Sequence, residues 1–502
     1  MLSVVKQIGN FLLRVSTSRV FAAFLLASLL TGSAMAGPVY QPSGANLTLG
    51  DVAHGQRVQS ASSNPAAAAA DRARGGGKQI RGAVISGAAG IEYGNVQEIF
   101  DFYDELTQAY KPSDPDTGPP PPGQDPGDKP DEGIDIGDIF DQLDPDVQET
   151  IRAITKEVAV QAALLAFIKT EGYAKAWLSA DAPFVLGNEY LGGTWTFGVG
   201  WSGSARAFGF TEEIDYDPEE ALRRLEEWLD TLPINRPVNL PLSDDVIITP
   251  GVNAVFLAID NDSSLLTKST QTIEMNLGYS RPAWSSGAGT LFLGAEARLY
   301  LMKLSRVSVR FGDITDSEEL FDDIRDADFK NDEGIGIDVG ALWVGRNYQL
   351  GAQITNINEP EFTFPDVNLA PYTDPLSIQR LQSDKFYRKD RQLKLEGSIF
   401  SPERRFSAHL GVDVDPATDP LGDRFQWATL SAGFQTDSRW VPSVRIGVRK
   451  NLTGTELGYA SFGLTAFKIF NFDIASALDT VSIDGEKLPQ GLMASLGFQV
   501  SW

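Results

Sequence analysis

The sequence predicts an all-β fold, a transmembrane β-barrel of about 14 antiparallel strands with an N-terminal plug and a helical insertion. Three observations predict it. Apolar residues alternate with small or polar residues along much of the chain after residue 183, the N-terminus has the pattern of an export signal, and the chain stops on an aromatic residue.

The first 36 residues are typical of a secretory signal peptide. Lys6, Arg14 and Arg19 supply a basic region, residues 20–30 form an apolar core, and Ala34-Met35-Ala36 fits the small-residue cleavage pattern. A membrane-spanning helix needs about 20 apolar residues, which this core does not provide. We therefore expect cleavage after the last of these alanines, and a mature protein exported from the bacterial cytoplasm.

Composition excludes several classes of protein. The net charge of −25 repels phosphates, so we expect no nucleic-acid partner. The chain has no cysteine, which excludes disulfides, thiolate metal sites, thiol catalysis and a lipid anchor on cysteine. After the signal no apolar run is long enough for a transmembrane helix, so a membrane protein of this sequence has to be a β-barrel.

The segment SSNPAAAAADRARGGG, starting at Ser62, obeys the rules for a short helix. Asn64 is a good N-cap, Pro65 suits the first turn, the alanines favour helix, and Gly75 ends it. A helix of this length is not stable alone in water, so it needs a surface to pack on. Because it precedes the first predicted strand, we expect residues 37–78 to form a plug inside the barrel.

The barrel itself is predicted over residues 79–502, interrupted by an insertion at 96–181. Residues 111–133 are acidic and proline-rich, which predicts a disordered loop. An amphipathic helix follows at 144–171, with apolar residues at helical spacing. Two shorter helices are predicted, one from Asp217 and one over 317–328. We expect the apolar face of the long helix either to pack on the barrel mouth or to dock a partner or lipid.

Alternation of period two is clearest in TWTFGVGW, where Trp195, Phe197, Val199 and Trp201 share one face. A soluble β-sandwich alternates too. The glycine-rich polar faces and the length of the runs, near the ~9–11 residues that a tilted strand needs to cross a bilayer, favour the membrane barrel. A run at 246–260 is predicted as one of its strands.

The last twelve residues, GLMASLGFQVSW, place Phe498, Val500 and Trp502 on one face. This ending resembles the C-terminal assembly signal of bacterial outer-membrane barrels. The resemblance implies the outer membrane of a Gram-negative cell as the location, its lipids as surroundings, and the barrel assembly machinery as a partner. Its physical basis is a lipid-facing strand that ends at an interfacial aromatic residue.

The Asn64-Pro65-Ala66 turn before the first strand resembles the long-chain fatty acid transporter (FadL) superfamily, in which it would belong to the N-terminal hatch. LTLGDVAHGQRVQSASSNPAAAA and GIDVGALWVGRNYQLGAQITNINEP are more specifically similar to a branch known as conjugal transfer protein TraF. The acidic proline-rich insertion is not part of the transporter pattern. The thioredoxin-like periplasmic protein that shares the TraF name does not fit a cysteine-free, strand-rich chain.

No catalytic, cofactor or metal site is expected, because His54 and His409 have no nucleophile motif around them and no carboxylate loop matches an EF-hand. We therefore predict a protein that is not an enzyme. A set of charged side chains is predicted to face the lumen, either as a network bonded to the plug or as an ordinary solvated interior: Glu274, Glu296, Arg298, Lys394, Glu396, His409, Asp413, Arg445 and Arg449.

Three functions remain open at this stage. The TraF-like resemblance implies an envelope component linked to plasmid or conjugative transfer. The wider superfamily implies passive uptake of fatty acids or other hydrophobic ligands, and predicts an apolar pocket between plug and wall. A structural or scaffold barrel that holds envelope proteins through the 144–171 helix is the third, because fold alone does not decide function.

Overall fold

The computed structural model describes residues 44–50, 63–74, 82–94, 173–210, 224, 240–241, 246–250, 255–259, 262–310, 327–436, 438–483 and 486–501. It contains three short helices in these residues: α1 (Asn46–Leu49), α2 (Ala67–Arg74) and α3 (Pro375–Ser383). None of the described helices has the length and apolar character needed to cross a membrane.

The strands are, in chain order, β1 (Gly82–Tyr93), β2 (Tyr173–Tyr190), β3 (Gly193–Phe210), β4 (Leu240–Pro241), β5 (Val246–Pro250), β6 (Val255–Ile259), β7 (Ser264–Ser286), β8 (Gly289–Arg310), β9 (Lys330–Gly345), β10 (Tyr348–Thr355), β11 (Glu361–Thr363), β12 (Phe386–Arg388), β13 (Gln392–Phe400), β14 (Phe406–Asp413), β15 (Ala417–Thr418), β16 (Arg424–Phe425), β17 (Trp427–Phe434), β18 (Ser443–Asn451), β19 (Gly458–Ala466), β20 (Phe470–Ala477), β21 (Thr480–Ile483), β22 (Glu486–Pro489) and β23 (Gly491–Ser501).

Fourteen of these strands form one closed barrel, in the order β1-β2-β3-β7-β8-β9-β10-β13-β14-β17-β18-β19-β20-β23. Every neighbouring pair is antiparallel, and β1 closes the ring on β23, with Gly82 opposite Ser501 and Glu92 opposite Gly491. The predicted antiparallel β-barrel and its strand number are therefore confirmed. The remaining strands form small sheets in the connections between barrel strands.

The two ends of the barrel differ. At one end, which we call the short-turn end, neighbouring strands are joined by brief turns such as 191–192, 287–288 and 346–347. At the other, the loop end, the connections are long and include α3 and the small sheets. Both the start of β1 and the end of β23 lie at the short-turn end. Short turns at one rim and long loops at the other are typical of outer-membrane barrels.

Side-chain alternation separates the two faces of the wall as the sequence predicts. Apolar side chains project outward and are largely exposed, as a lipid-facing surface requires: Ile85, Phe197, Leu277, Leu293, Ile335, Leu350, Ile399, Leu410, Leu430, Ile446 and Leu496. The intervening residues face the lumen and are mostly polar, charged or glycine.

Two sequence-based boundaries are wrong. Residues 246–260, predicted as a barrel strand, contain β5 and β6, which pair with β4 in a separate sheet. The predicted insertion over 96–181 ends too late, because β2 already begins at Tyr173. Its outward positions include Ala174, Ala176 and Ala180, whose small side chains give the alternation little contrast, so the hydropathy pattern misses the strand.

Several predictions lie outside the described residues. These are the signal peptide at 1–36, the proline-rich loop at 111–133, the helix at 144–171, and nearly all of the two shorter helices from Asp217 and over 317–328. Conversely, α3 was not predicted. Its start carries the standard signals, because Asp374 accepts a hydrogen bond from the Ser377 amide at 2.5 Å and Pro375 occupies the first turn.

Candidate functional site

The lumen of the barrel holds two pieces of the N-terminal segment, residues 44–50 and 63–74, and these are the first component of the candidate site. Asn64 is fully buried, and its Oδ1 accepts a hydrogen bond from the Ala66 amide at 3.0 Å. Its Nδ2 donates to the Ala341 carbonyl of β9 at 3.4 Å. The predicted Asn-Pro-Ala turn thus has one hydrogen bond within itself and one to the barrel wall.

Glycines on the inner face let the N-terminal segment approach the wall closely. A Cβ added at Gly294 of β8 would collide with the Pro65 carbonyl and lie 2.7 Å from the Ala66 nitrogen. A Cβ at Gly340 of β9 would collide with the Asn64 Oδ1. The alanines that follow pack on Phe292 and Leu342 of the same two strands. Small residues on both surfaces therefore allow backbone-to-backbone packing.

The first piece of the segment, with α1, contacts the opposite side of the barrel. Thr48 donates from Oγ1 to Asp473 Oδ1 at 2.5 Å, and Asp473 also pairs with Arg445. The Gly44 amide donates to Ser495 Oγ at 2.6 Å, and Ser431 Oγ donates to the Leu49 carbonyl at 3.2 Å. Asn46 Nδ2 donates to Ser63 Oγ at 2.6 Å, which joins the two pieces.

A charge network built on β7, β8 and β9 forms the second component. Arg298 lies between three carboxylates, at 2.5 Å from Glu274, 2.7 Å from Glu296 and 2.7 Å from Asp338. All three carboxylates are buried, with exposed fractions of 6%, 3% and 1%. Asp338 also accepts the Asn356 amide at 2.8 Å. The network carries more negative than positive charge and fixes the relative position of three strands.

A cavity of about 210 Å³ lies between the N-terminal segment and the loop end. Among the described residues, its lining includes Asn46 and Ser63 of the segment, the Glu274–Arg298–Asp338 network, and loop residues such as Lys389 and Asp419. Aromatic and small apolar groups line much of the cavity, and charged and amide side chains line the rest. The described cavity therefore offers both polar and apolar contacts.

At the loop end, residues 356–391 fold into the barrel mouth; we call this stretch lid 1. Asp384, just after α3, pairs with Lys268 at 2.6 Å and with Arg306 at 3.3 Å. Arg306 also donates to the Leu381 carbonyl at 2.7 Å. Both cations project inward from β7 and β8 and are buried to 3% and 5% exposure. Lid 1 therefore supplies the carboxylate that pairs with two lumenal cations.

Residues 414–426, which we call lid 2, fold inward from the adjacent part of the rim. Asp419 and Asp423 lie 2.5 Å and 2.8 Å from Lys175 of β2, and Asp423 is 2.9 Å from Arg206 of β3. Burial acts to raise the pKa of Asp423, but Lys175 and Arg206 outweigh it and hold that pKa below its ordinary value. Lid 2 is therefore held by charged carboxylates.

The nine lumenal charges predicted from the sequence all lie on the inner face and are buried or nearly so. Glu274, Glu296 and Arg298 share one network, whereas the others are distributed over β13, β14 and β18. His409 is hydrogen-bonded to Ser398 at 2.7 Å and to Ser407 at 3.0 Å.

Four of the remaining charges have distinct surroundings. Lys394 lies opposite Asp413 in the β13–β14 ladder, and Glu396 lies against Gly50, at the end of the first piece of the segment. Arg449 stacks on Trp427, with 4.9 Å from Cζ to the ring centroid, and its Nε and Nη1 have no hydrogen-bond partner among the described residues.

Sequence reasoning missed the partners of these charges. Asp338 and Asp473 face inward by the same period-two rule, because they follow the outward-facing residues Ile337 and Phe472. The lid contacts of Lys175, Lys268 and Asp384 could not be found, because they join loops to strands that are more than 100 residues away in sequence.

The C-terminal signal is described up to Ser501. Phe498 and Val500 project outward, with exposed fractions of 40% and 38%, and the Phe498 ring packs at a tilt against the Phe470 ring, with centroids 5.3 Å apart. Trp502 lies outside the described residues. Within the described part of the chain, no group of three or more histidine, aspartate or glutamate residues is arranged to hold a metal ion.

The chain matches one protein family and resembles several solved barrel structures. Residues 61–415 match the family described as F plasmid transfer operon, TraF, protein. Similar solved structures include the TodX deltaS2S3 mutant monoaromatic hydrocarbon channel, at 10% identity over 91% of this chain and 98% of that chain, with a TM-score of 0.39. A Pseudomonas aeruginosa FadL homologue has 10% identity over 94% and 99%, with a TM-score of 0.39.

A third similar structure, CdiB from Acinetobacter baumannii, has 10% identity over 65% of this chain and 51% of that chain, with a TM-score of 0.28. No curated protein matches the sequence. The TraF resemblance inferred from the Asn64-Pro65-Ala66 turn and its flanking sequence is confirmed by the family match, which extends over most of the chain. This closed, antiparallel barrel belongs to the F plasmid transfer operon TraF protein family.

Proposed function

We propose that this protein is an envelope component of conjugative transfer, which resides in the outer membrane of a Gram-negative cell as a plugged, non-enzymatic barrel. Membership in a family described by the transfer operon of the F plasmid supports the link to conjugation. The observation that carries the proposal is occupation of the lumen from both ends, by the N-terminal segment and by lids 1 and 2.

The proposed placement has physical support. The outward face is apolar, and the short-turn end carries both ends of the barrel chain, as expected for the periplasmic rim. Residues 1–36 direct export and are removed, and residues 37–78 include the plug. The barrel assembly machinery recognises the strand ending in Phe498, Val500 and Trp502, and outer-membrane lipids cover the wall.

The alternative of FadL-like uptake has less support. Uptake of a fatty acid or another hydrophobic compound requires an apolar pocket, because unpaired polar groups around such a ligand would lose their hydration. The described cavity places the charged residues Glu274, Arg298, Asp338 and Lys389 beside its apolar groups, so an apolar ligand there would lie against charges. A scaffold barrel is compatible with the closed lumen, and the helix at 144–171 would then hold its partner.

Mating frequency tests the proposal directly. The gene is deleted in a donor strain that carries a complete set of transfer genes, and is restored in trans. We expect transfer to fall at least tenfold on deletion and to recover on complementation. An unchanged mating frequency, with the protein proven absent, would contradict the conjugation proposal. Replacing Ile151 and Val158 by polar residues then tests the scaffold version, because it should abolish partner binding while the barrel stays folded.

Permeation separates the proposal from uptake. The purified protein is reconstituted into planar bilayers. Separately, the gene is expressed in cells that lack the native copy. We expect a closed baseline, and no stoichiometric fatty acid in native mass spectra of protein extracted in mild detergent. A fatty acid retained through detergent exchange would favour uptake and would contradict the closed-barrel proposal.

A further inference from the structure

The short-turn end carries a one-sided arc of basic side chains. Four consecutive turns along the rim, at 346–347, 401–405, 435–442 and 467–469, join β9 to β10, β13 to β14, β17 to β18 and β19 to β20. They carry five basic residues, Arg346, Arg404, Arg405, Arg439 and Lys468, against two carboxylates, Glu403 and Asp437. The two turns on the other side, 191–192 and 287–288, carry no charge. This arc is basic although the whole chain is strongly acidic.

The basic side chains of the arc are available to a ligand. Four of them, Arg346, Arg405, Arg439 and Lys468, are exposed. None of the five forms an ion pair with a carboxylate of the described residues, in contrast to the paired cations of the lumen. Arg404 is held in place by the Phe400 ring, at 4.8 Å, and by its bond to the Arg346 carbonyl at 3.2 Å. The arc therefore has a net positive charge, and four of its five basic side chains are exposed.

Aromatic side chains line the same rim just beside the arc. Trp440 is 85% exposed and packs edge-on against Phe467, with ring centroids 6.1 Å apart. Phe406 and Phe434 lie 5.1 Å apart on the neighbouring strands. Exposed tryptophan and phenylalanine at the end of a barrel strand lie at the level of the lipid headgroups. The basic residues of the adjacent turns are consequently within reach of headgroup phosphates.

We propose that this arc binds the headgroups of anionic phospholipids in the leaflet that faces the short turns. Arginine is suited to this role because its guanidinium can make two parallel hydrogen bonds to one phosphate. The exposed Trp440 and Phe467 insert beside the acyl chains and favour a lipid over an acidic protein. The inference rests on the proposed outer-membrane placement, in which this leaflet is the periplasmic one.

Native mass spectrometry of the full mature protein tests the proposal. The protein is titrated in detergent with phosphatidylglycerol and, separately, with zwitterionic phosphatidylethanolamine. A variant with Arg346→Gln, Arg405→Gln, Arg439→Gln and Lys468→Gln removes four charges from the arc. Each basic residue near an anionic surface changes binding about fivefold. We expect the wild type to prefer phosphatidylglycerol at least tenfold, and the variant to lose that preference.

The matched control neutralises four exposed basic residues of the loop end: Lys330→Gln, Arg380→Gln, Arg388→Gln and Arg391→Gln. It should keep the wild-type preference. Heat-dependent mobility on SDS gels verifies that each variant is a folded barrel. Equal binding of both lipids by the wild type, or an unchanged preference in the arc variant, would overturn the proposal.

The lipid-binding result can be distinguished from the test of the proposed function. The arc variant could keep the wild-type lipid preference and yet lose binding of an acidic envelope protein. In that case the arc is a protein-binding surface, and the lipid proposal is overturned. An unchanged mating frequency on gene deletion contradicts the conjugation proposal alone, because lipid preference is measured on purified protein. Recovery of the protein in the inner-membrane fraction would remove the placement on which both depend.

Discussion

Replacing Gly294 by alanine is the sharpest test of how the N-terminal segment is held in the lumen. The added Cβ would lie 2.7 Å from the Ala66 nitrogen and closer still to the Pro65 carbonyl. Ordinary contacts begin near 3.4 Å, so the entry to α2 has to move by roughly 0.7 Å or more. The neighbouring atoms are backbone, which cannot move aside as a flexible side chain could.

The expected cost of this clash follows from known effects of overpacking, which are about 1–3 kcal/mol for one extra carbon in a packed site. At 1.4 kcal/mol per tenfold change, the displaced state of α2 becomes about 5 to 150 times more populated. The barrel strands themselves should be unaffected, because the ladders of β8 with β7 and β9 involve only backbone groups.

Thiol labelling measures this population, because the chain has no cysteine of its own. Ser280 of β7 is 1% exposed beneath α2, where its Oγ accepts the Ala69 amide at 3.1 Å. Ser280→Cys provides a nearly isosteric reporter. We expect maleimide to modify this thiol about 5 to 150 times faster when Gly294→Ala is added, since labelling requires the helix to leave.

Gly397→Ala is the matched control. This glycine lies on the outer face of β13, where an added Cβ makes an ordinary contact of 3.5 Å with Leu350. It should leave the labelling rate within about twofold of the parent. If Gly294→Ala also leaves the rate unchanged in a correctly folded barrel, the reasoning that backbone packing against this glycine retains α2 is refuted.

Three further predictions concern the segment, the lumen and lid 1. Replacing Asn64 and Pro65 by alanine should loosen the segment and raise the permeability of cells to large antibiotics; unchanged permeability in a correctly inserted variant would reject this. Arg445→Met should lower the free energy of unfolding by about 3–5 kcal/mol, because it leaves the buried Asp473 carboxylate without its cation. Arg449→Met should be neutral or stabilising, because that guanidinium is buried with nitrogens that are unpaired among the described residues. Urea unfolding in detergent compares the two variants, and equal losses would contradict the distinction. Asp384→Asn should release lid 1 and accelerate tryptic cleavage within 356–391 several-fold, and a wild-type digestion pattern would show that its two ion pairs do not hold the lid.

Much of the barrel was predictable because one physical rule determines it. A wall with lipid on one side and a polar interior on the other requires alternation at every strand, and that signal is local in the sequence. Where the contrast disappears, as in the alanine-rich start of β2 at Tyr173, the rule gives no answer. Where alternation occurs away from the barrel, as in residues 246–260, the rule predicts a barrel strand that is not there.

The lumen was predictable only as a set of inward positions. Period two places Glu274, Glu296 and Arg298 on the inner face, but it cannot say that Asp338 of the next strand completes their network. That information depends on the register between strands. The lids are still less accessible to sequence reasoning, because the partner of Lys268 is Asp384, more than 100 residues away and beyond several connections. Long-range pairing of this kind has no local signature.

The closure of β1 on β23 has a consequence for how the molecule is made. The first strand cannot pair with its second neighbour until the last strand has been delivered. A partly exported chain would therefore leave the sheet open, with two unpaired edges. The N-terminal segment is covalently attached just before β1, and finally lies within the ring. Barrel closure is therefore a late step, in which pairing of β1 with β23 also encloses the N-terminal segment. A premature stop before Gly491 would leave a sheet that neither closes nor retains that beginning.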